Sequence, residues 1–144
     1  MPVPGAGEED QMAPVTRPAR APWERTVVAA VYLVGAGVHV GIVASDPTTY
    51  APFAGDALFG FVRTGWRDVF MDDPRLWGLQ LAAGEALLGV LLLIGGRVAA
   101  VGWAGVLGFH VLLLLFGLWA WWYAVPALAV LTVLAARDRG WRLG

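Results

Sequence analysis

Three long apolar stretches, divided by polar punctuation, set the organisation of this chain. The first, Thr26–Ser45, reads TVVAAVYLVGAGVHVGIVAS, and His39 is its only strongly polar interior side chain. A helix of this length, at 1.5 Å per residue, crosses the ~30 Å hydrocarbon core of a bilayer. The second, Leu76–Gly96, is interrupted by Gln80 and Glu85 and closed by Arg97. The third, Val98–Ala136, holds 39 residues with no acidic or basic side chain except His110. One straight helix of that length would reach about 58 Å, twice the hydrocarbon thickness, so it must fold back into two. The turn is expected within Gly117–Tyr123, with Pro126 early in the last helix, where a missing amide costs least.

The pattern therefore predicts an all-α integral membrane protein, a bundle of four transmembrane helices at about 26–45, 76–96, 98–117 and 120–136. These make up a transmembrane domain over 23–137. The connection from Asp46 to Pro74 is too long and too apolar for a plain loop. Within 56–71, Leu58, Phe59, Val62, Trp66, Val69 and Phe70 recur at helical spacing, with Arg63 and Arg67 four apart on another face. An amphipathic helix on the outer membrane surface fits that spacing. Residues 1–22 carry five prolines and no apolar periodicity, which predicts a disordered cytoplasmic tail. Its acidic start is a poor signal-peptide n-region, so the first apolar run is expected to stay as a spanning helix. Residues 138–144 read as a short basic tail.

Charge placement orients the bundle. With both ends inside, the inner segments hold Arg17, Arg20, Arg25, Arg97, Arg137, Arg139 and Arg142, against Arg63, Arg67 and Arg75 outside. This asymmetry favours cytoplasmic termini. Composition agrees with the membrane class: 58% of residues are apolar and 15% charged, and mean hydropathy is +0.65. A soluble protein of this size has too little interior to hide that much apolar surface, so a soluble enzyme is excluded. Net charge is −1, which leaves no bulk footprint for nucleic acid. Cysteine is absent, removing thiolate metal sites, disulfide chemistry and palmitoylation. All ten basic residues are Arg, which with the Ala, Gly and Val content suggests a GC-rich bacterial genome and hence a bacterial cytoplasmic membrane.

Candidate chemistry lies in the ionisable groups at bilayer depth, each of which is costly there. Glu85 falls at mid-bilayer, with His110 about 3 Å and His39 about 6 Å toward the outer side of their helix centres. Depth permits the three to meet as a buried polar cluster. Gly78, Ala82, Gly89 and Gly96 share a stripe with Glu85, and small residues let a neighbouring helix approach closely, so Glu85 should point into the bundle. His39 shares a face with Tyr32, Gly35 and Asp46, and His110 with Trp103, Leu114 and Gly117. A Glu–His contact that fixes packing is the plainest reading. A proton or ion relay is the sharper one. No cofactor is expected; a haem between His39 and His110, or a two-His, one-carboxylate metal site, stands behind both readings. Arg63 and Arg67 would contact headgroups or neighbouring aspartates, or clamp an anion. Trp119, Trp121, Trp122 and Tyr123 read as an interfacial aromatic belt.

The stretch LAAGEALLGVLLLIGGR (81–97), followed by a helix carrying Phe109 and His110, resembles the DoxX-like membrane proteins. These are small four-helix proteins whose Gly/Glu-bearing second helix ends in a glycine and basic turn. The resemblance covers roughly 26–136, and it carries over Glu85 and His110 alone, as polar sites. The family name derives from a subunit associated with thiosulfate–quinone oxidoreduction, which is the redox link the resemblance implies. The chain departs from the family in its long tail, its Asp/Arg/Trp-rich first loop and its short WAWWY turn. No nucleophile–base pair, phosphate loop or HExxH-type helix is present, which disfavours a self-contained enzyme. The expected role is an accessory or structural subunit in the lipid bilayer, packed with other membrane subunits or with copies of itself. The alternative is a redox/quinone-linked or proton- or solute-handling protein using the Glu/His cluster.

Overall fold

The computed structural model describes residues 23–138; the expected N-terminal tail, and Arg17, Arg20, Arg139 and Arg142, lie outside them. Helix α1 is Trp23–Ser45, followed by a 3₁₀ segment Pro47–Ala54, a short α2 at Gly60–Gly65 and a π turn at Trp66–Phe70. Helix α3 is Pro74–Ile94, α4 is Gly96–Leu113 continued by a 3₁₀ turn Leu114–Phe116, and α5 is Leu118–Arg137. Four of these are long and apolar enough to cross a membrane, spanning 20 to 23 residues each, and no strand occurs among the described residues. The protein is thus an all-α, multi-pass bundle.

Local chemistry explains where the elements start and turn. Asp46 caps the 3₁₀ segment by accepting from the Thr48 amide at 2.9 Å, with Pro47 at the first helical position. Asp73 caps α3 in the same way through the Leu76 amide at 3.0 Å, ahead of Pro74. An acceptor before a proline satisfies an orphan amide while the proline fixes φ. The two inter-helix turns need glycine: Gly95 and Gly96 have φ of 81° and 58°, and Gly117 has 94°. Gly96 therefore belongs to the turn and to α4, not to the small-residue stripe of α3. The α4–α5 turn closes at Gly117, so Trp119 to Tyr123 lie in the first turns of α5 rather than in the turn itself. Pro126 falls nine residues into α5, where it withdraws the amide that would bond the Trp122 carbonyl.

Packing runs α1 on α3, α3 on α4, and α4 on α5. A Cβ added at Gly89 would lie 3.0 Å from the Ala29 carbonyl oxygen and 2.9 Å from Leu33 Cγ. At Gly78 it would lie 2.6 Å from Val43. The backbones of α1 and α3 approach this closely only because those positions lack side chains. The buried core joins Val28, Ala29 and Tyr32 to Leu92, Ala99, Trp103, Val106, Leu131 and Ala135. All of these lie toward the end of the bundle where α1 begins and α5 finishes.

That end is closed by charge. Arg25 and Asp138 are both buried, with Arg25 Nη1 3.4 Å from the Asp138 carboxylate, and Trp103 Nε1 donates to the same carboxylate at 2.9 Å. Asp138, which opens the expected basic tail, is instead part of the core. Arg25, one of the arginines counted as an inner topological charge, spends its guanidinium on this pair and against Gly95.

The segment between α1 and α3 departs from a continuous amphipathic helix over 56–71. Helix starts only at Gly60, and the Met71 amide bonds the Trp66 carbonyl five residues back at 2.9 Å. One extra residue per turn breaks the 3.6 periodicity. Trp66 and Phe70 consequently stack on each other inward, centroids 3.8 Å apart, while Leu58, Phe59, Phe61 and Val69 are exposed. The segment is tied down across the bundle: the Leu58 amide donates to the Leu115 carbonyl at 3.0 Å, and a Cβ at Gly117 would overlap the Asp56 carbonyl.

The buried charge pair gives a stability prediction. Asp138→Ala leaves Arg25 buried without its carboxylate and should cost about 3–5 kcal/mol. Denaturant titration in detergent measures it, and the double replacement Arg25→Leu with Asp138→Leu should recover most of the loss. A cost below about 1 kcal/mol for Asp138→Ala would show the pair to be dispensable.

Candidate functional site

Glu85 lies midway along α3 and faces α1, where Gly35 stands opposite. A Cβ on Gly35 would sit 2.5 Å from Glu85 Oε2, so the glycine makes the room the carboxylate occupies. One turn further along α1, His39 places Nε2 3.8 Å from Glu85 Oε1. That separation allows an ion pair if the ring is protonated but is too long for a hydrogen bond. Oε2 is buried with no hydrogen-bond partner among the described residues. A buried acceptor left without a donor costs on the order of 1–3 kcal/mol, so the position calls for an explanation.

The histidines are held by phenols. His39 Nδ1 lies 2.7 Å from the Tyr50 hydroxyl, and the two rings stack at 18°. Tyr50 is 1% exposed and wedged edge-on against Phe70, with centroids 5.2 Å apart. Burial, with the Glu85 carboxylate nearby as a second cause, raises the Tyr50 phenol above its ordinary value and keeps it a neutral hydroxyl. On the opposite wall, His110 Nδ1 is 3.2 Å from the Tyr32 hydroxyl and 3.0 Å from the Val106 carbonyl. Glu85 and His39 are therefore brought together, while His110 faces the same space through Tyr32.

That space is a cavity of about 480 Å³. It lies in the half of the bundle away from the Arg25–Asp138 end, under the segment between α1 and α3. Glu85, His39, Tyr32, Tyr50 and His110 all line it. Phe53, Trp66, Trp119 and Tyr123 complete an aromatic wall. Val31 and Leu112, also on its lining, are 62% and 59% exposed, so the cavity reaches the lipid-facing surface between α1 and α4.

Other residues singled out by the sequence are placed differently. Arg63 Nη1 donates to the Ala57 carbonyl, and Arg67 pairs with its neighbour Asp68 at 2.6 Å. That hydrogen-bonded pair raises Arg67 and lowers Asp68 from their ordinary values. One guanidinium is thus engaged by a backbone carbonyl and the other by the adjacent carboxylate. The aromatic cluster divides too. Trp122 is 76% exposed, and Trp121 donates its indole N–H to the Leu114 carbonyl at 2.9 Å. Trp119 and Tyr123 instead turn inward to the cavity. Among the described residues no group of three or more His, Asp or Glu could hold a metal ion.

Sequence reasoning missed Tyr50 and Phe53, which precede the stretch whose periodicity is readable, and it placed Trp66 on the apolar face of an outer-surface helix rather than in a site. Tyr32 carried a signal in its shared helical face with His39.

The geometry bears on the reading of the Glu–His contact as one that fixes packing. If Glu85 held the bundle together, removing it would strand a histidine. His39 already has Tyr50, and His110 has Tyr32. Glu85→Leu should therefore leave unfolding free energy in detergent within about 0.5 kcal/mol of the parent, or raise it, because an orphan acceptor is removed. A loss above about 1 kcal/mol would show that the carboxylate has a structural partner. No family model matches the chain, and neither a curated protein nor a solved structure matches it significantly, so function has to be read from the cavity itself.

Proposed function

We propose that this membrane protein binds a small lipophilic molecule carrying one polar group, inside the bundle and beside Glu85. The observation that carries the reading is the unpartnered Oε2 of Glu85 on the wall of a 480 Å³ cavity. A volume of this size is ordinary for a small-molecule site, as is a mostly apolar lining with a few convergent polar groups. A purely structural accessory subunit would use the carboxylate as packing glue, and the cavity would have no role. The solute-handling alternative gives both a purpose. The DoxX-like resemblance is a proposal that rests on 81–97 with Phe109 and His110.

Entry from the bilayer suits the exposure of Val31 and Leu112 at the rim. We further propose a bacterial cytoplasmic membrane with both termini inside, which places the cavity in the outer leaflet half. The support is the arginine asymmetry; reporter fusions after Gly144 and within 46–73 should report opposite sides, and the same side for both would sink the orientation.

Binding is tested by titrating the protein in maltoside detergent with a series from benzyl alcohol to 4-phenylbutanol in a calorimeter. Saturable binding is expected, strengthening along the series as apolar surface is buried. Leu113→Trp, which fills the cavity from α4, should weaken it at least tenfold with helicity unchanged. Absence of saturable binding, or indifference to Leu113→Trp, would overturn the reading.

A further inference from the structure

Resting on the cavity reading above, we infer that the ligand is a lipophilic organic cation: an ammonium group on a compact aromatic or branched apolar skeleton. The first ground is charge. Glu85 is the only acidic side chain on the lining, and no arginine reaches the lining among the described residues, in a chain that has no lysine. An anion brought to this cavity would meet a carboxylate and find no permanent countercharge, only the rings of His39 and His110, whereas a cation would give Oε2 of the carboxylate the partner it lacks. A charge enters an apolar interior only when it is paired there.

Hydrogen-bond bookkeeping supplies the second ground. Most donors on the wall are already used; the His39–Tyr50 pair keeps one proton to spare, since its ring N–H and its hydroxyl share a single hydrogen bond. Trp66 Nε1 donates to the Tyr50 carbonyl at 2.9 Å, and Trp119 Nε1 donates to the Phe53 carbonyl at 3.1 Å. The Tyr50 hydroxyl is engaged with His39 and the Tyr32 hydroxyl with His110. A ligand presenting only acceptors, such as a ketone or an ester, therefore meets few free donors. A ligand that presents positive charge meets an open carboxylate oxygen.

The third ground is the character of the remaining wall. Eight of the sixteen lining residues are Phe, Tyr or Trp. With their indole N–H groups bonded to backbone carbonyls, Trp119 and Trp66, the latter with one face stacked on Phe70, line the cavity with ring atoms. Aromatic faces attract a desolvated ammonium through the ring quadrupole, and Trp does so best. The combination of one carboxylate, aromatic faces and a rim open to lipid matches a cation that first partitions into the bilayer. Gly35 is the positioning residue: a side chain there would push the carboxylate from its place beside the cavity.

The test compares benzyltrimethylammonium with neopentylbenzene, its neutral carbon isostere, by equilibrium dialysis against the full chain in maltoside detergent. The cation is expected to bind at least tenfold tighter than the isostere. Glu85→Gln should weaken the cation at least tenfold and change the isostere less than twofold, with helicity and elution volume unchanged. Gly35→Ala should weaken the cation in the same sense. If the isostere binds as well as the cation, or Glu85→Gln affects both equally, the cation assignment falls while the cavity reading stands. If neither ligand binds saturably, both fall. Should the Gln variant fail to fold, the comparison of the two ligands on the parent protein decides alone.

Discussion

A carboxylate at the middle of an apolar bundle, with one oxygen lacking any donor, is the constraint around which this structure is arranged. Burying such a group is unfavourable unless space and partners are prepared for it. The space comes from Gly35, whose missing side chain leaves room for Oε2. The nearest cationic candidate, His39, stops at 3.8 Å because Tyr50 holds its other ring nitrogen at 2.7 Å. Tyr50 is itself locked between Phe53 and Phe70 of the connecting segment. The polar wall is thus fixed from outside the spanning helices, and it is fixed slightly too far from Glu85 to satisfy it.

The bundle has two unlike halves. Toward the Arg25–Asp138 end, Val28, Ala29, Leu92, Ala99 and Val106 pack as one buried cluster, and the charge pair and Trp103 border a hollow of only about 110 Å³. Toward the other end the helices are held apart by aromatic side chains and by the segment lying across them. Close α1–α3 contact continues there through Gly78 and Gly35, and the hollow opens instead between α1 and α4. A dense half supplies the stability that a hollow half gives up.

How much of this was legible in the sequence varies with the kind of signal. Four spanning helices follow from run length against bilayer thickness, a constraint that the chain cannot evade. Glu85, His39 and His110 stand out because ionisable side chains are rare at that depth. The inward face of α3 was readable from Gly78, Ala82 and Gly89. Other features depend on tertiary geometry that no period encodes. Asp138 sits just past an apolar run and looks like tail until Arg25 and Trp103 are seen around it. Trp119 and Tyr123 share a cluster with Trp122, and only the turn at Gly117 decides which of them face lipid. The π turn at Trp66–Phe70 defeats a 3.6-residue reading by construction, which is why the inward pair Trp66 and Phe70 was not separated from Leu58, Phe59 and Val69.

The division into a dense and a hollow half is most directly tested on α4, where Val106 and Leu113 lie seven residues apart on nearly one face. Val106 is fully buried in the core, and Leu113 lines the cavity. Because the chain has no cysteine, a single one at either position carries a nitroxide label unambiguously. Electron paramagnetic resonance in detergent should show a folded protein with a mobile label at Leu113→Cys. At Val106→Cys the label should be immobilised or the bundle destabilised. Equal immobilisation at the two positions would mean that there is no hollow beside Glu85, and the account of this protein as a binder of small lipophilic molecules would be contradicted.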